Sequence, residues 1–239
     1  MSLIEVTGLT KVYDDEGTET VALGGVSFAI QKGEFVSIMG PSGSGKSTLL
    51  QILGFLDKHT GGNYVFEGRN ADSYSDDELA TVRNQKLGFI FQAFNLLPKT
   101  TVLENTKLPL LYSNIPEREW DDRATGAIAA VGLTHRINHE TGQLSGGEKQ
   151  RAAIARALVL NPEVIFADEP TGNLDSRSGQ MVMQTIQNLN EEFGHTVILI
   201  THETTTAEHA QRIIRIRDGQ VESDLPVINR RTATAAFEK

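Results

Sequence analysis

The stretch GPSGSGKST, residues 40–48, decides the fold of this chain. It fits the pattern G-x-x-x-x-G-K-[ST], with Gly40, Gly45, Lys46 and Ser47 in the fixed positions. It follows the apolar run GEFVSIM, which is typical of a strand buried on both faces, and it leads into the helical sequence KSTLLQIL. A strand, a glycine-rich loop and a helix in this order predict a phosphate-binding loop.

The residue types of this loop suit a nucleoside triphosphate with magnesium. Glycines let backbone N–H groups approach phosphate oxygens where a Cβ atom would interfere. Lys46 brings a positive charge to the β- and γ-phosphates, Ser47 offers an oxygen to Mg²⁺, and the helix presents its N-terminus. We expect every residue of the loop to contact the nucleotide: Gly40, Pro41, Ser42, Gly43, Ser44, Gly45, Lys46, Ser47 and Thr48. The loop alone fits a kinase, a GTPase, a helicase or a transport ATPase.

The composition indicates a folded protein that does not bind nucleic acid. The chain has 239 residues, of which 39% are apolar, enough for a sizeable core. A formal net charge of -9 without a basic block argues against DNA or RNA as the main partner. With no cysteine, disulfides and thiolate metal sites are excluded. The start of the chain has no signal-peptide pattern, and no apolar run approaches the roughly 20 residues of a membrane span, so we expect no direct membrane insertion.

The hydrophobic pattern predicts an α/β domain over residues 1–220. LIEVTGLTKVY and VALGGVSFAI predict two strands, with a turn at DDEGTET between them. The short apolar strands of KLGFIFQ, PEVIFADEP and HTVILITHE alternate with helices, which favours a mostly parallel sheet covered on both faces. Residues from about 95 to 160 are mostly helical in pattern and predict a helical subdomain, and the polar residues 221–239 predict a loosely held tail.

Two carboxylates end the strand within VIFADEP. Asp168 and Glu169 would lie at the carboxyl edge of the sheet, where ligands of open α/β sheets bind. Asp168 can hold the hydration shell of Mg²⁺, and Glu169 can orient or deprotonate a water that attacks the γ-phosphate. The pair favours hydrolysis, although a merely polar strand end remains an alternative.

A second glycine-serine turn, LSGGEKQ at residues 144–150, also opens a helix. Exposed N–H groups and a hydroxyl at a helix N-terminus favour an anion. If this turn faces the nucleotide of another copy, the nucleotide joins two copies in a symmetric dimer.

With these motifs the sequence closely resembles the nucleotide-binding subunits of ATP-binding cassette (ABC) transporters, over about residues 3–220. Six motifs stand in the order of that family: the Walker A loop GPSGSGKST, the Q-loop at Gln92, the signature LSGGE, the Walker B strand VIFADE, the D-loop at Asp175 and the switch histidine His202. The resemblance implies the ABC ATPase fold: a P-loop NTPase core with a mostly parallel sheet, an N-terminal antiparallel β subdomain and a helical signature subdomain.

The resemblance also implies a role for each matched residue. It implies a catalytic set of Glu169, the general base, His202, which holds the γ-phosphate and the water, Lys46 and Gln92. It implies Mg²⁺ contacts from Ser47, Gln92 and Asp168. It implies nucleotide contacts, partly to the opposite subunit, from Ser145, Gly146, Gly147, Glu148 and Asp175. Tyr13 would stack on adenine, unless it is an ordinary half-buried strand tyrosine. Surface or capping positions are expected for the other histidines: His59, His135, His139, His195 and His209.

Two positions depart from the usual pattern of the family. Residue 148 is Glu where the signature often has Gln, and residue 203 is Glu where Asp commonly follows the switch histidine. Neither change touches a group that does the chemistry, so we expect activity to be kept, with dimer affinity or rate open to change.

The segments between the motifs look most like the ATPases of lipoprotein release, macrolide export and cell division. The resemblance implies ATP and Mg²⁺ as ligands, a homodimer with ATP between its subunits, membrane-spanning partner subunits, and a peripheral position on the cytoplasmic face of the cell membrane. AFNLLP, residues 93–98, would contact the membrane partner or pack internally. Two alternatives remain: an ABC ATPase that acts on nucleic acid or ribosomes, and a signalling subunit with low turnover. The sequence does not name the cargo.

Overall fold

The computed structural model describes residues 2–15 and 17–232 and divides into two compact units. Among the described residues, the first unit comprises those up to Leu79 together with 196–231, and the second is built on Ala80–His195. The strands are β1 (Ser2–Asp15), β2 (Thr18–Gln31), β3 (Phe35–Met39), β4 (Gly61–Phe66), β5 (Arg69–Asn70), β6 (Leu87–Phe91), β7 (Val164–Asp168), β8 (Thr196–Thr201), β9 (Arg212–Arg217) and β10 (Gln220–Pro226). The helices are α1 (Lys46–Leu53), α2 (Asp76–Lys86), α3 (Val102–Lys107), α4 (Trp120–Ala130), α5 (Gly146–Leu158), α6 (Ser176–Glu191) and α7 (Thr204–Ala207).

The first unit contains an antiparallel sheet with the strand order β2-β1-β4-β5. β1 and β2 form a long hairpin that pairs Ile4 with Ile30 at one end and Asp15 with Thr18 at the other. The predicted turn DDEGTET is therefore too long, because most of its residues belong to the two strands. At the tip the Asp14 carboxylate accepts a hydrogen bond of 3.0 Å from the backbone N–H of Gly17.

The first unit also contains parallel strands that position the phosphate loop. β3 lies between β8 and β9 and is parallel to both. Every residue of β3 and β8 is buried, as their continuous apolar sequences predict. Because Met39 pairs with Thr201, the loop after β3 and the residue after β8 start at the same sheet edge.

The second unit places a parallel strand pair among helices. β6 and β7 pair from Leu87 with Val164 to Phe91 with Asp168. α5 packs against β6 and against the helices α3, α4 and α6. A cluster of buried side chains around Leu110, Ala124 and Val159 fills the space between these helices. The predicted helical character of the region is confirmed by α3, α4 and α5, while its status as a subdomain stays a prediction. Within the described residues no helix is long and apolar enough to span a bilayer.

The prediction of a loosely held tail from residue 221 is wrong for the described part of that segment. β10 pairs with β9 in antiparallel fashion, with Gln220 opposite Arg217 and Pro226 opposite Arg212. Beyond the strand, the Arg231 guanidinium donates a hydrogen bond of 2.9 Å to the Glu208 carboxylate. Edge-strand pairing uses backbone groups, so a polar sequence suffices for it. Residues 233–239 lie outside the described residues, and the domain boundary at 220 stays a prediction.

Candidate nucleotide site

The glycines of the phosphate loop are required by its conformation and its packing. Gly43 and Gly45 have φ angles of 78° and 98°, in the left-handed region that favours glycine. A Cβ atom on Gly40 would clash with the carbonyl oxygen of Ile216, and one on Gly45 would clash with that of Ala22. The loop therefore has no room for larger residues at these positions.

The loop gathers the donors that a phosphate needs. α1 starts at Lys46, and no side chain caps its N-terminus. The Lys46 ammonium donates a hydrogen bond of 2.7 Å to the Pro41 carbonyl, so it is held against the loop. The Ser44 hydroxyl is buried and has no hydrogen-bond partner in the described part of the chain. An uncapped helix start, a cation and an unsatisfied hydroxyl together suit an oxyanion.

Tyr13 lies on the hairpin with its side chain partly in solvent. The residue is 39% exposed, and its hydroxyl donates a hydrogen bond of 2.9 Å to Asp57. The Lys11 ammonium lies 4.7 Å from the centre of the ring and bonds to the same carboxylate at 2.8 Å. Burial raises the pKa of Asp57, but the hydrogen bonds from Lys11 and Tyr13 outweigh it and hold that pKa below its usual value. Asp57, which sequence analysis missed, therefore fixes the orientation of the Tyr13 ring.

The histidines differ in how far they are exposed to solvent. His202 directly follows β8 and is exposed, at the same sheet edge as the phosphate loop. The carboxylate of its neighbour Glu203 accepts a hydrogen bond of 2.8 Å from the Thr206 hydroxyl, at the start of α7. His195 and His209 are both buried, so the surface alternative is wrong for them, while the capping alternative stays a prediction. Nδ1 of His195 donates to the Pro162 carbonyl at 2.8 Å.

In the second unit, hydrogen bonds connect the loops that follow β6 and β7. The pairing of Phe91 with Asp168 places Gln92 and Glu169 one residue beyond the ends of adjacent strands. Glu169 has a φ of 46°, a strained conformation for a non-glycine residue and one that is concentrated at functional sites. Asn173 donates a hydrogen bond of 3.0 Å to the Gln92 carbonyl and accepts one of 3.4 Å from the Gln92 side chain. No local sequence pattern indicates this role for Asn173.

The signature turn packs on the start of α6, where the D-loop ends. Ser145 caps α5, and Asp175 caps α6 by accepting a hydrogen bond of 2.9 Å from the Ser178 N–H. Backbone and side-chain hydrogen bonds from Ser178 hold the pKa of Asp175 below its usual value. A Cβ atom on Gly147 would lie 2.9 Å from the Ser178 side chain. The turn and the cap therefore have no space to move independently.

The sites in the two units differ from a carboxylate-rich metal centre. Within residues 2–15 and 17–232 no group of three or more His, Asp or Glu side chains could hold a metal ion. The predicted magnesium ligands are instead a hydroxyl, an amide and one carboxylate, at Ser47, Gln92 and Asp168. A phosphate loop after a buried strand, with carboxylates at the end of another, defines the class of protein as a P-loop NTPase.

Comparisons with known proteins place the chain within that class. A family model described as "ABC transporter" matches residues 23–172. The macrolide export ATP-binding/permease protein MacB of Bdellovibrio bacteriovorus is 49% identical over 222 residues, which cover 93% of this chain and 34% of that protein. An uncharacterised ABC transporter ATP-binding protein of Thermotoga maritima is 47% identical over 220 residues, covering 92% of this chain and 94% of that protein. The chain belongs to the ABC transporter family.

A solved structure agrees with this assignment. The dimeric structure of the ATP-binding cassette MJ0796, in a post-hydrolysis state bound to ADP and Pi, has 44% sequence identity and a TM-score of 0.84. The match covers 94% of this chain and 98% of that chain. The prediction of the ABC ATPase fold is confirmed, and membership of this family favours the transporter interpretation over the nucleic-acid and signalling alternatives. The chain spans about a third of the length of its MacB relatives.

Proposed function

We propose that this chain is the ATP-hydrolysing subunit of a transporter, and that two copies close around two ATP molecules. The observation that carries the proposal is the signature turn, a second helix start with exposed Ser145 and Gly146 that is suited to an anion but lacks a triphosphate loop of its own. A second subunit would supply the missing nucleotide. The dimeric form of the related cassette MJ0796 supports this arrangement.

Each copy binds ATP chiefly through the first unit. The partly exposed Tyr13 ring would stack on adenine, and the loop of residues 40–48 would surround the phosphates. Lys46 would exchange its bond to the Pro41 carbonyl for bonds to the β- and γ-phosphates. The orphaned hydroxyl of Ser44 would gain a partner in the same step.

The residues proposed as metal ligands fit magnesium in their chemistry. The Ser47 hydroxyl, the Gln92 amide oxygen and the Asp168 carboxylate are all oxygen donors, and Mg²⁺ binds few carboxylates together with substrate phosphates. Ser47 is exposed at the first turn of α1, and Asp168 is partly exposed at the end of β7. When bound, Mg²⁺ neutralises charge that develops on the phosphates.

Hydrolysis is proposed to depend on Glu169 and His202. Glu169 would accept a proton from the attacking water, and His202 would hold the water and the γ-phosphate in line. The left-handed backbone at Glu169 and the hydrogen bonds between Gln92 and Asn173 would keep Glu169 and Gln92 fixed. From the opposite subunit, the nucleotide would be contacted by Ser145, Gly146, Gly147, Glu148 and Asp175.

A membrane-spanning partner would bind at the segment after Gln92. Leu97 is 46% exposed, and Phe94 and Leu96 are only partly buried, which supports a contact with a partner over internal packing of residues 93–98. Phe94, Leu96 and Lys99 help to line an open cavity of about 370 Å³. This surface would transmit the closing motion, with the chain lying on the cytoplasmic face of the membrane. Export and force transmission are the two kinds of work that we propose, and the partner would select the cargo.

The test is ATP-driven dimerisation of the Glu169→Gln variant. We expect it to be monomeric without nucleotide and dimeric with saturating Mg-ATP by light scattering, while its turnover falls by roughly 10²-fold or more, as for loss of a general base. The Lys46→Ala/Glu169→Gln double variant is the control and should stay monomeric, because it lacks the phosphate cation. A Glu169→Gln variant that stays monomeric with ATP would contradict the proposal.

A further inference from the structure

The signature turn carries a negative charge, Glu148, at a position that should receive a phosphate. Glu148 is the third residue of α5, and its side chain is only 15% exposed. Its carboxylate accepts a hydrogen bond of 2.8 Å from the Ser145 N–H, and its own N–H donates to the Ser145 hydroxyl at 3.3 Å. The cap is therefore complete, but an unbalanced carboxylate here would repel the phosphate that the turn should bind.

Glu148 stays ionised in this environment. The Ser145 N–H is the main cause that lowers the pKa of Glu148, and the Ser145 hydroxyl and Arg136 lower it further, against the effect of burial. The negative charge therefore persists beside the signature turn, where a neighbouring cation can offset it.

Arg136 is the cation in contact with this carboxylate. Its Nε donates a hydrogen bond of 2.9 Å to Glu148 Oε1, from the short 3-10 helix Thr134–Arg136. Another guanidinium nitrogen of Arg136 lies 3.0 Å from Nε2 of His139, and because arginine only donates, that ring nitrogen accepts. His135 lies farther away, with its Nε2 4.0 Å from Glu148 Oε1.

We propose that Arg136 is a positioning residue for the nucleotide of the opposite subunit. It neutralises Glu148 and holds the carboxylate in the capping arrangement, which leaves the N-terminus of α5 attractive to a phosphate. The inference rests on the proposed function, because it concerns the same signature turn. It explains how the chain keeps Glu at a position where the family signature often has Gln.

The experiment measures the ATP-dependent monomer–dimer equilibrium in the Glu169→Gln parent at pH 8. Three variants are added to this parent: Arg136→Gln, Glu148→Gln and both together. We expect Arg136→Gln to raise the dimer dissociation constant about tenfold, because it leaves a bare carboxylate. Glu148→Gln keeps the cap, removes the charge and should lower the constant two- to threefold. The double variant should return to within about twofold of the parent.

Opposite signs for the two single variants separate a charge effect from a structural one. Urea unfolding of each variant identifies any that fails to fold, and Arg136→Lys, which keeps the charge, should recover most of the affinity. Arg118→Gln removes the same charge from an exposed position in the second unit and should leave the constant unchanged. The inference is overturned if Glu148→Gln weakens the dimer as Arg136→Gln does, or if Arg136→Gln has no effect. A parent that does not dimerise with ATP overturns the proposed function and this role with it.

Discussion

At the scale of single residues, Gly147 is confined by its contact with the start of α6. Its absent side chain leaves only enough space for the start of α6, since an added Cβ atom would meet Ser178 at 2.9 Å. Gly146 is less confined, because its nearest contact would be the Leu174 side chain at 3.2 Å. The second glycine thus sets the distance between the signature turn and the Asp175 cap.

This contact predicts the effect of Gly147→Ala. The added methyl group must push the turn away from α6, at a cost of about 1–3 kcal/mol in the free energy of unfolding. We expect ATP-driven dimerisation in the Glu169→Gln parent to weaken more than tenfold. Gly126→Ala is the matched control, since a Cβ atom there meets nothing within 4 Å and alanine favours helix α4. Equal dimerisation of the two variants would rule out this packing role.

At the scale of elements, α5 links the signature turn to the segment that follows Gln92. The Gln150 side chain donates a hydrogen bond of 3.3 Å to the Phe91 carbonyl at the end of β6. Two turns further on, the Arg156 guanidinium donates to the carbonyls of Phe94, at 3.0 Å, and Asn95. Phe94 and Asn95 have φ angles of 62° and 51°, so Arg156 stabilises a backbone that is otherwise unfavourable.

Arg156 is therefore expected to affect turnover more than ATP binding. Arg156→Gln should lower kcat for ATP roughly tenfold by loosening the Gln92 segment, while KM stays within about twofold because the phosphate loop is unchanged. Arg156→Lys keeps the charge but loses the paired donors, so its kcat should lie between those of the unchanged protein and of Arg156→Gln. Steady-state ATPase assays measure both constants. A change in KM with unchanged kcat would contradict this role.

The motifs were predictable from sequence because each combines a local pattern with an element boundary. The phosphate loop, the carboxylates at the end of β7 and the cap at Ser145 all lie where apolar runs begin or end. The supporting residues were not predictable, because hydrogen bonds between distant positions leave no periodic signal. Asn173 lies 81 residues from Gln92, and Arg156 lies 62 from Phe94.

The polar strand β10 escaped prediction for a different reason. It is an edge strand, and its side chains alternate between partly buried and exposed positions without an apolar face. Backbone pairing with β9 and ion pairs hold it instead, such as the 3.0 Å bond between Arg217 and Glu222. A strand without an apolar face gives no hydrophobic periodicity, so the sequence pattern does not predict it.

At the scale of the whole chain, the C-terminal segment completes the first unit. The Arg212 guanidinium on β9 bonds to both carboxylate oxygens of Asp224, at 2.5 and 2.6 Å, and also to Glu34 at 3.0 Å. The Arg230 guanidinium donates a hydrogen bond of 2.7 Å to the His209 carbonyl. Arg230 and Arg231 thus lie close to the buried His209, although they follow it by about 20 residues in the sequence.

That histidine should make the stability of the chain depend on pH. Burial, and then the charges of Arg231 and Arg230, lower the pKa of His209 from 6.5 to about 4. Below pH 6.5 the unfolded chain takes up a proton that the folded chain refuses until about pH 4, so stability falls as the pH falls through this window. Between pH 7 and pH 5 we expect a loss of about 1–2 kcal/mol in the free energy of unfolding, measured with urea. His209→Gln should remove this part of the pH dependence, whereas His135→Gln, at an exposed site, should keep it. The same pH dependence in His209→Gln and the parent would show that His209 is not its source.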